Sequence, residues 1–193
     1  DADAQASGFF ITAGGIAVTN YHSIDGAIAA SAELVTGESY PVERVLYYDA
    51  GIDIAVIQVS RTAAGHRSTS AFACMEVAPS GTGDVRVGDT VYTISNPLGL
   101  GLAVSSGVIS DTARQVARYD RPCLMDTADI SQGSSGGALL NAYGQVIGVT
   151  SGAYSYGNNM YLAVPIDPVL SADLSGEGWT LKEVRDIMAQ YKD

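Results

Sequence analysis

The sequence predicts an all-β protein, and three observations lead there. The apolar stretches are short and rich in Val, Ile and Tyr. They recur at intervals of roughly 8–12 residues between clusters of Gly, Asn, Asp and Ser, the spacing of a β-sandwich or barrel. The 22 glycines are spread along the chain, where turns between strands need backbone conformations that other residues resist. Hydrophobic residues make up 47% and charged residues only 16%, which excludes a wholly disordered chain and a long coiled coil.

Taken in order, the apolar runs predict strands over 8–12, 15–20, 27–34, 42–48, 54–59, 72–77, 90–95, 102–110, 122–125, 138–141, 146–150 and 160–164. Ala13-Gly-Gly15 and Ala142-Tyr-Gly144 sit between such runs as hairpin turns. The stretch 78–84 is Pro, Gly and Ser with Ala78 as its one apolar side chain, so it divides the chain. The predicted organisation is a first lobe over 1–78, a linker over 79–84, a second lobe over 85–179 and a closing helix over 180–193. In that helix Leu181, Val184, Ile187 and Met188 form one stripe, with Thr180 as N-cap. At 193 residues, the chain has room for two small lobes sharing a core.

Charge narrows the partners. The formal net charge is −11, which repels nucleic acid and favours cationic or neutral partners. No apolar run approaches the roughly 18 residues of a membrane span. The amino terminus, DADAQASG, is acidic where an export signal would be basic and then apolar. Cys74 and Cys123 are too few and too far apart for a zinc site of the CxxC type, and no motif asks for another metal or a cofactor.

The strongest local signal is Gln132-Gly-Ser-Ser-Gly-Gly137 feeding the apolar run Ala138-Leu-Leu140. Glycines on both sides of a serine let the backbone turn sharply, so that N–H groups converge while the hydroxyl stays accessible. Alone, the string also describes a glycine-rich turn. A serine nucleophile needs a base, and the chain holds two histidines, His22 and His66. His22 stands where the apolar run Ile16–Tyr21 opens into a loop, whereas His66 lies in a polar stretch with the composition of a surface loop. A histidine base needs an acceptor for its other ring nitrogen, and Asp53 heads the core run 54–59. Order then discriminates. No histidine follows Ser135, which excludes the α/β-hydrolase arrangement. Only Asp1 and Asp3 precede His22, which excludes the subtilisin order. His22, Asp53, Ser135 is the order found on paired antiparallel barrels.

With these residues in place, the sequence resembles the chymotrypsin superfamily and, within it, the bacterial HtrA (Deg) branch. The likeness rests on Ser7-Gly-Phe-Phe-Ile11, Val18-Thr-Asn-Tyr-His22, Asp53-Ile-Ala-Val-Ile57, Ser95-Asn-Pro-Leu-Gly-Leu100, Ser106-Gly-Val-Ile-Ser110, Gly133-Ser-Ser-Gly-Gly137, Gly144-Gln-Val-Ile-Gly-Val149 and Ala163-Val-Pro-Ile166. The resemblance implies two six-stranded antiparallel β-barrels with the site between them. It implies a serine endopeptidase acting on protein or peptide substrates, with His22 as general base, Asp53 as its orienter and Ser135 as nucleophile. The loop Gly133, Ser134, Ser135 would form the oxyanion hole, and Thr150, Ser151 and Gly152 the edge that pairs with substrate backbone. It also implies an extracytoplasmic location, in keeping with lysine occurring only at Lys182 and Lys192. Asp129, six residues before Ser135, stands where trypsin-like enzymes place the carboxylate of their primary specificity pocket, which implies cleavage after Arg or Lys. HtrA relatives favour small aliphatic side chains, for which Ile130 would line the pocket.

The sequence departs from the branch at Ser134, where the family usually has Asn, and at Gln132, where it often has Pro. Ser134 also carries no charge to receive a freed amino terminus. Assembly into oligomers is left open. The alternative reading is an inactive protease-like double barrel that binds or scaffolds; an esterase using the same triad is a third.

Overall fold

The computed structural model describes residues 5–65, 67–96, 101–153 and 158–191. His66 and positions 97–100 of the Ser95–Leu100 motif lie outside the described residues. In the first lobe, β1 (Phe9–Phe10), β2 (Ile16–Thr19), β3 (Ser31–Glu33), β4 (Ser39–Asp49) and β5 (Ile54–Val59) form an antiparallel sheet in the order β1-β2-β5-β4-β3. In the second, β6 (Thr90–Ser95), β7 (Ala103–Arg114), β8 (Cys123–Asp126), β9 (Ala138–Leu140), β10 (Val146–Ala153) and β11 (Tyr161–Pro165) close into a barrel in the order β10-β11-β8-β7-β6-β9. The all-β, two-lobed architecture is the one the sequence predicts.

One predicted strand is not a ladder strand. The segment 72–77 is fixed at intervals instead: the Phe72 N–H donates to the Ala13 carbonyl at 3.0 Å and the Met75 N–H to that of Phe10 at 2.8 Å. Val77 then makes an isolated bridge to Val146 of β10. The segment crosses from one lobe to the other, so it cannot stay in register with either, and the first lobe has five paired strands. The sequence also misses α1 (Asp167–Ser171), a single turn with Pro168 in its first positions, too short to show a helical period. The closing helix α2 (Leu181–Ala189) is capped as predicted: the Thr180 hydroxyl accepts from the Glu183 N–H while the Glu183 carboxylate accepts from the Thr180 N–H.

β2 and β5 show why the lobes stay together. Side chains alternate across a strand, and in β5 Ile54 and Val56 enter one apolar cluster while Ala55, Ile57 and Val59 enter another. The first cluster joins them to Val18 and Phe9 and to Ala138, Leu140, Val146, Val149 and Val164 of the second lobe. The other is the first lobe's own core, closed by Leu181 and Val184 of α2. The chain end is further pinned where Val45 and Trp179 exchange backbone hydrogen bonds of 2.7 and 2.9 Å. Cys74 is exposed and Cys123 buried, and both are free thiols.

Asp126 is a buried carboxyl in β8, opposite Tyr161 of β11 and Ile109 of β7. It accepts one bond, from the Ala128 N–H at 2.8 Å. Burial disfavours its charged form and raises its pKa to about 7, against the lesser opposing effect of that N–H. An aspartate that holds its proton more tightly folded than unfolded gives stability that is full below the ordinary aspartate range and is lost as pH rises through about 7. Asp126→Asn, neutral at every pH and still able to accept from Ala128, should therefore melt several degrees above wild type at pH 8. The two melting curves should converge near pH 4; a constant offset from pH 4 to pH 8 would refute the assignment.

Candidate active site

The site forms where β2 and β5 run out. Beyond β2 the chain makes one 3₁₀ turn, Tyr21–Ser23, which turns His22 to the surface. Asp53 precedes β5 with φ of 59°, a left-handed conformation uncommon outside glycine. That conformation is held by its neighbours: the Asn20 side-chain amide donates to the Asp53 carbonyl at 2.9 Å, and the His22 N–H donates to Asp53 Oδ1, also at 2.9 Å. The other carboxylate oxygen meets His22 Nδ1 at 2.8 Å. With its proton on Nδ1 facing a carboxylate, the imidazole leaves Nε2 bare as an acceptor. The Asp53 side chain is 9% exposed and that of His22 51%, so the carboxylate is shielded while the imidazole stays open to solvent.

Ser151 provides a second contact to the acid. Its hydroxyl donates to Asp53 Oδ2 at 3.1 Å. That uses its one proton, so the hydroxyl of Tyr119, which also contacts Ser151 Oγ, is the donor in their bond. Burial raises the Tyr119 pKa, the Ser151 contact opposing it. Arg118 lies over the Tyr119 ring at 4.7 Å. The loop after β7 is also tied to the turn before Asp53, its Asp120 N–H donating to the Gly51 carbonyl at 2.8 Å. Neither Tyr119 nor Asn20 is distinguishable in the sequence from other buried polar residues, because their roles arise from elements far apart in the chain.

Ser135 comes from the second lobe, on the loop between β8 and β9. Gly133 and Gly136 both have positive φ, 88° and 91°, which is the sharp reversal a glycine-flanked serine was expected to make. Among the described residues, the N–H groups of Gly133 and Ser135 have no internal partner. Ser134 turns inward instead. Its N–H donates to the Ser131 carbonyl at 3.0 Å, and its hydroxyl accepts from Ser95 Oγ at 3.1 Å and from the Ser131 N–H at 3.2 Å. Of the three loop residues named from the sequence, Ser134 therefore supports the turn and does not present its N–H to it. The Ser135 hydroxyl donates to the Ser151 carbonyl at 3.1 Å, and among the described residues it makes no bond to His22.

The remaining sequence-named residues fall in two places. Thr150, Ser151 and Gly152 lie in the outer half of β10, which still pairs with β11 after its ladder with β9 has ended at Val149. Asp129 and Ile130 line a pocket of about 160 Å³ together with Thr93, Ser95 and Ser134. Asp129 is exposed, and the Tyr161 hydroxyl donates to its Oδ1 at 2.5 Å. That bond, more than desolvation, raises the Tyr161 pKa.

Residues 6–149 match the model of the trypsin-like peptidase domain. The chain is 35% identical over 152 residues to the periplasmic serine endoprotease DegP of Salmonella typhimurium, a match covering 77% of this chain and 30% of that protein. It is 34% identical over 169 residues to a protein named HhoA from Synechocystis sp., covering 84% of this chain and 40% of the relative. The chain thus spans well under half the length of these relatives. Among solved structures, the HtrA-type protease AlgW with a decapeptide shares the fold, with a TM-score of 0.73 over 97% of this chain and 52% of that one, at 24% identity. The chain belongs to the family of trypsin-like peptidase domains and is homologous to the HtrA and DegP serine proteases.

Proposed function

We propose that the protein is a serine endopeptidase that cleaves peptide bonds through an acyl-enzyme on Ser135. The observation that supports this best is the His22–Asp53 pair, which leaves Nε2 bare, together with a glycine-flanked serine loop whose Gly133 and Ser135 N–H groups have no partner among the described residues. In this reading a turn about the Ser135 side chain exchanges the Ser151 carbonyl for His22 Nε2. Ser135 Oγ then attacks the scissile carbonyl carbon as its proton passes to Nε2. The oxyanion is received by the Gly133 and Ser135 N–H groups. The carbon–nitrogen bond breaks as His22 hands the proton to the leaving amine. Water, deprotonated by His22, attacks the resulting ester, and the proton returns to Ser135 Oγ as the carboxylic acid leaves. Throughout, the Asp53 side chain accepts from the His22 N–H and the Ser151 hydroxyl and so keeps the imidazole oriented.

The same reading takes 1–78 and 85–179 as the two lobes flanking the cleft, with the outer edge of β10 at Ser151 and Gly152 pairing to substrate backbone, the Thr150 backbone being already bonded to Gly136 and Gly137. The periplasmic naming of relatives supports an extracytoplasmic setting. Asp129 supports a preference for Arg or Lys before the scissile bond: Tyr161 engages one of its oxygens and leaves the other for a substrate cation. The net charge of −11 assists by gathering cationic segments. A second reading, an inactive double barrel that binds without cleaving, has one observation in its favour, the engagement of the Ser135 hydroxyl by Ser151 and not by His22.

A fluorophosphonate probe separates the two readings, since only an activated serine is labelled. Wild type should be labelled at Ser135, and Ser135→Ala should lose peptidase activity by on the order of a millionfold while keeping its melting temperature. An unlabelled wild type would establish the binding reading. For specificity, substrates differing only in Arg, Val or Ala before the scissile bond should rank Arg first, and Asp129→Ala should remove that advantage. Equal cleavage after Val, indifferent to the Asp129 change, would refute the basic preference.

A further inference from the structure

The loop that carries Ser135 is held almost entirely by backbone hydrogen bonds, one peptide unit at a time. The 133–134 unit donates its N–H to Ser131, the 134–135 unit accepts at the Ser134 carbonyl from Gly137 at 2.9 Å, and the 135–136 unit donates to Thr150 at 2.7 Å. The exception is the unit joining Gln132 to Gly133. Among the described residues neither its carbonyl nor its N–H has a partner. It ends at a glycine with φ of 88° and no Cβ to resist rotation. Yet this N–H is one of the two that must point at the oxyanion, on the peptidase reading above.

A single side chain steadies the unit next to it. Ser7, buried in the segment before β1, donates its hydroxyl to the Gly133 carbonyl at 2.7 Å. The same oxygen accepts from the Asn96 N–H at 3.0 Å, so the one hydroxyl proton is committed to Gly133. Ser7 is itself immobilised. Its N–H donates to the Ser135 carbonyl at 2.8 Å, and its carbonyl accepts from the Thr19 hydroxyl of β2 at 2.8 Å. The loop packs directly on it, since a Cβ at Gly136 would stand 2.0 Å from the Ser7 carbonyl oxygen. One residue thus holds the carbonyls on both sides of Ser134 and links them to the strand that delivers His22.

We propose that Ser7 is a positioning residue for the oxyanion hole: by holding the Gly133 carbonyl it sets the orientation of the unpartnered Gln132–Gly133 peptide and keeps the Gly133 N–H aimed at the transition-state oxygen. The inference rests on the endopeptidase reading and adds to it a residue that touches neither substrate nor the reacting atoms. Without the hydroxyl, the 133–134 unit keeps only its Ser134 N–H bond to Ser131, so the Gly133 carbonyl can tilt about that bond and the adjacent Gly133 N–H drifts from the hole. Because an oxyanion donor acts in the transition state far more than in the bound substrate, the loss falls on kcat.

The test compares wild type, Ser7→Ala and the nearly isosteric Ser7→Cys, whose thiol donates only weakly. Steady-state hydrolysis of one peptide amide is measured with kcat expressed per site titrated to completion by fluorophosphonate, so that misfolded protein is not counted. Ser7→Ala should lower kcat roughly 10- to 100-fold, below the full loss of an oxyanion donor, with KM within about threefold of wild type. Inhibition by a matching peptide aldehyde, whose adduct places its oxygen in the hole, should weaken by the same factor. Ser7→Cys should fall between, and it carries the test alone if the alanine variant does not fold. Wild-type kcat per site in the variants, or a loss confined to KM, overturns the proposal. An unlabelled wild type overturns the peptidase reading and this inference together, whereas a labelled wild type with fully active Ser7 variants overturns this inference only.

Discussion

Both faces of β2 and β5 are buried, and the rest of the molecule is arranged around that constraint. One face belongs to the first lobe's own core and the other to the cluster shared with the second barrel. Val18, Ile54 and Val56 have no measurable exposure, and burying such side chains is worth about 1.5–3 kcal/mol each. The sheet therefore cannot slide or rotate against the barrel without exposing apolar surface on one side or the other. His22 and Asp53 sit just past the ends of these two strands, so their position relative to the barrel is as well defined as the core itself.

The serine loop belongs to the other lobe and is held to this frame by polar contacts. Ser7 reaches it from the first lobe, itself held by Thr19, and Ser151 ties the outer half of β10 to Asp53. Each such bond contributes only about 1 kcal/mol net, but leaving one of these buried groups without its partner costs more. The contacts thus act chiefly through geometry: they favour one relative placement of His22, Asp53 and Ser135. Asp53 shows the cost of that placement in its left-handed backbone, kept by two hydrogen bonds from the adjacent turn.

Much of this was legible in the chain. The runs 54–59 and 90–95 coincide with β5 and β6 residue for residue, because strands buried on both faces or alternating cleanly leave a continuous signature. Thr180 announced the start of α2 in the same way. The segment 72–77 misled because its apolar content is that of a strand, while its role is to cross between lobes, which no local pattern records. The closed second barrel and the five-stranded first sheet also differ for a reason outside any one strand, namely which edges find a partner.

His22, Asp53 and Ser135 could be proposed from sequence because chemistry limits the candidates: two histidines, one glycine-flanked serine loop and an order that fits one of the three arrangements compared. The sequence by itself determined the strand periods, the turn at Gly133–Gly137 and the short set of candidate side chains, since these follow from local sterics and side-chain type. The tertiary structure alone decided that Ser134 faces inward, that the Ser135 hydroxyl rests on Ser151, and that Ser7 and Tyr119 reach the site. Those facts depend on hydrogen bonds between residues separated by up to 126 positions, and a hydrogen bond is directional and short in range. It exists only once the apolar cores have brought the two lobes to a fixed separation.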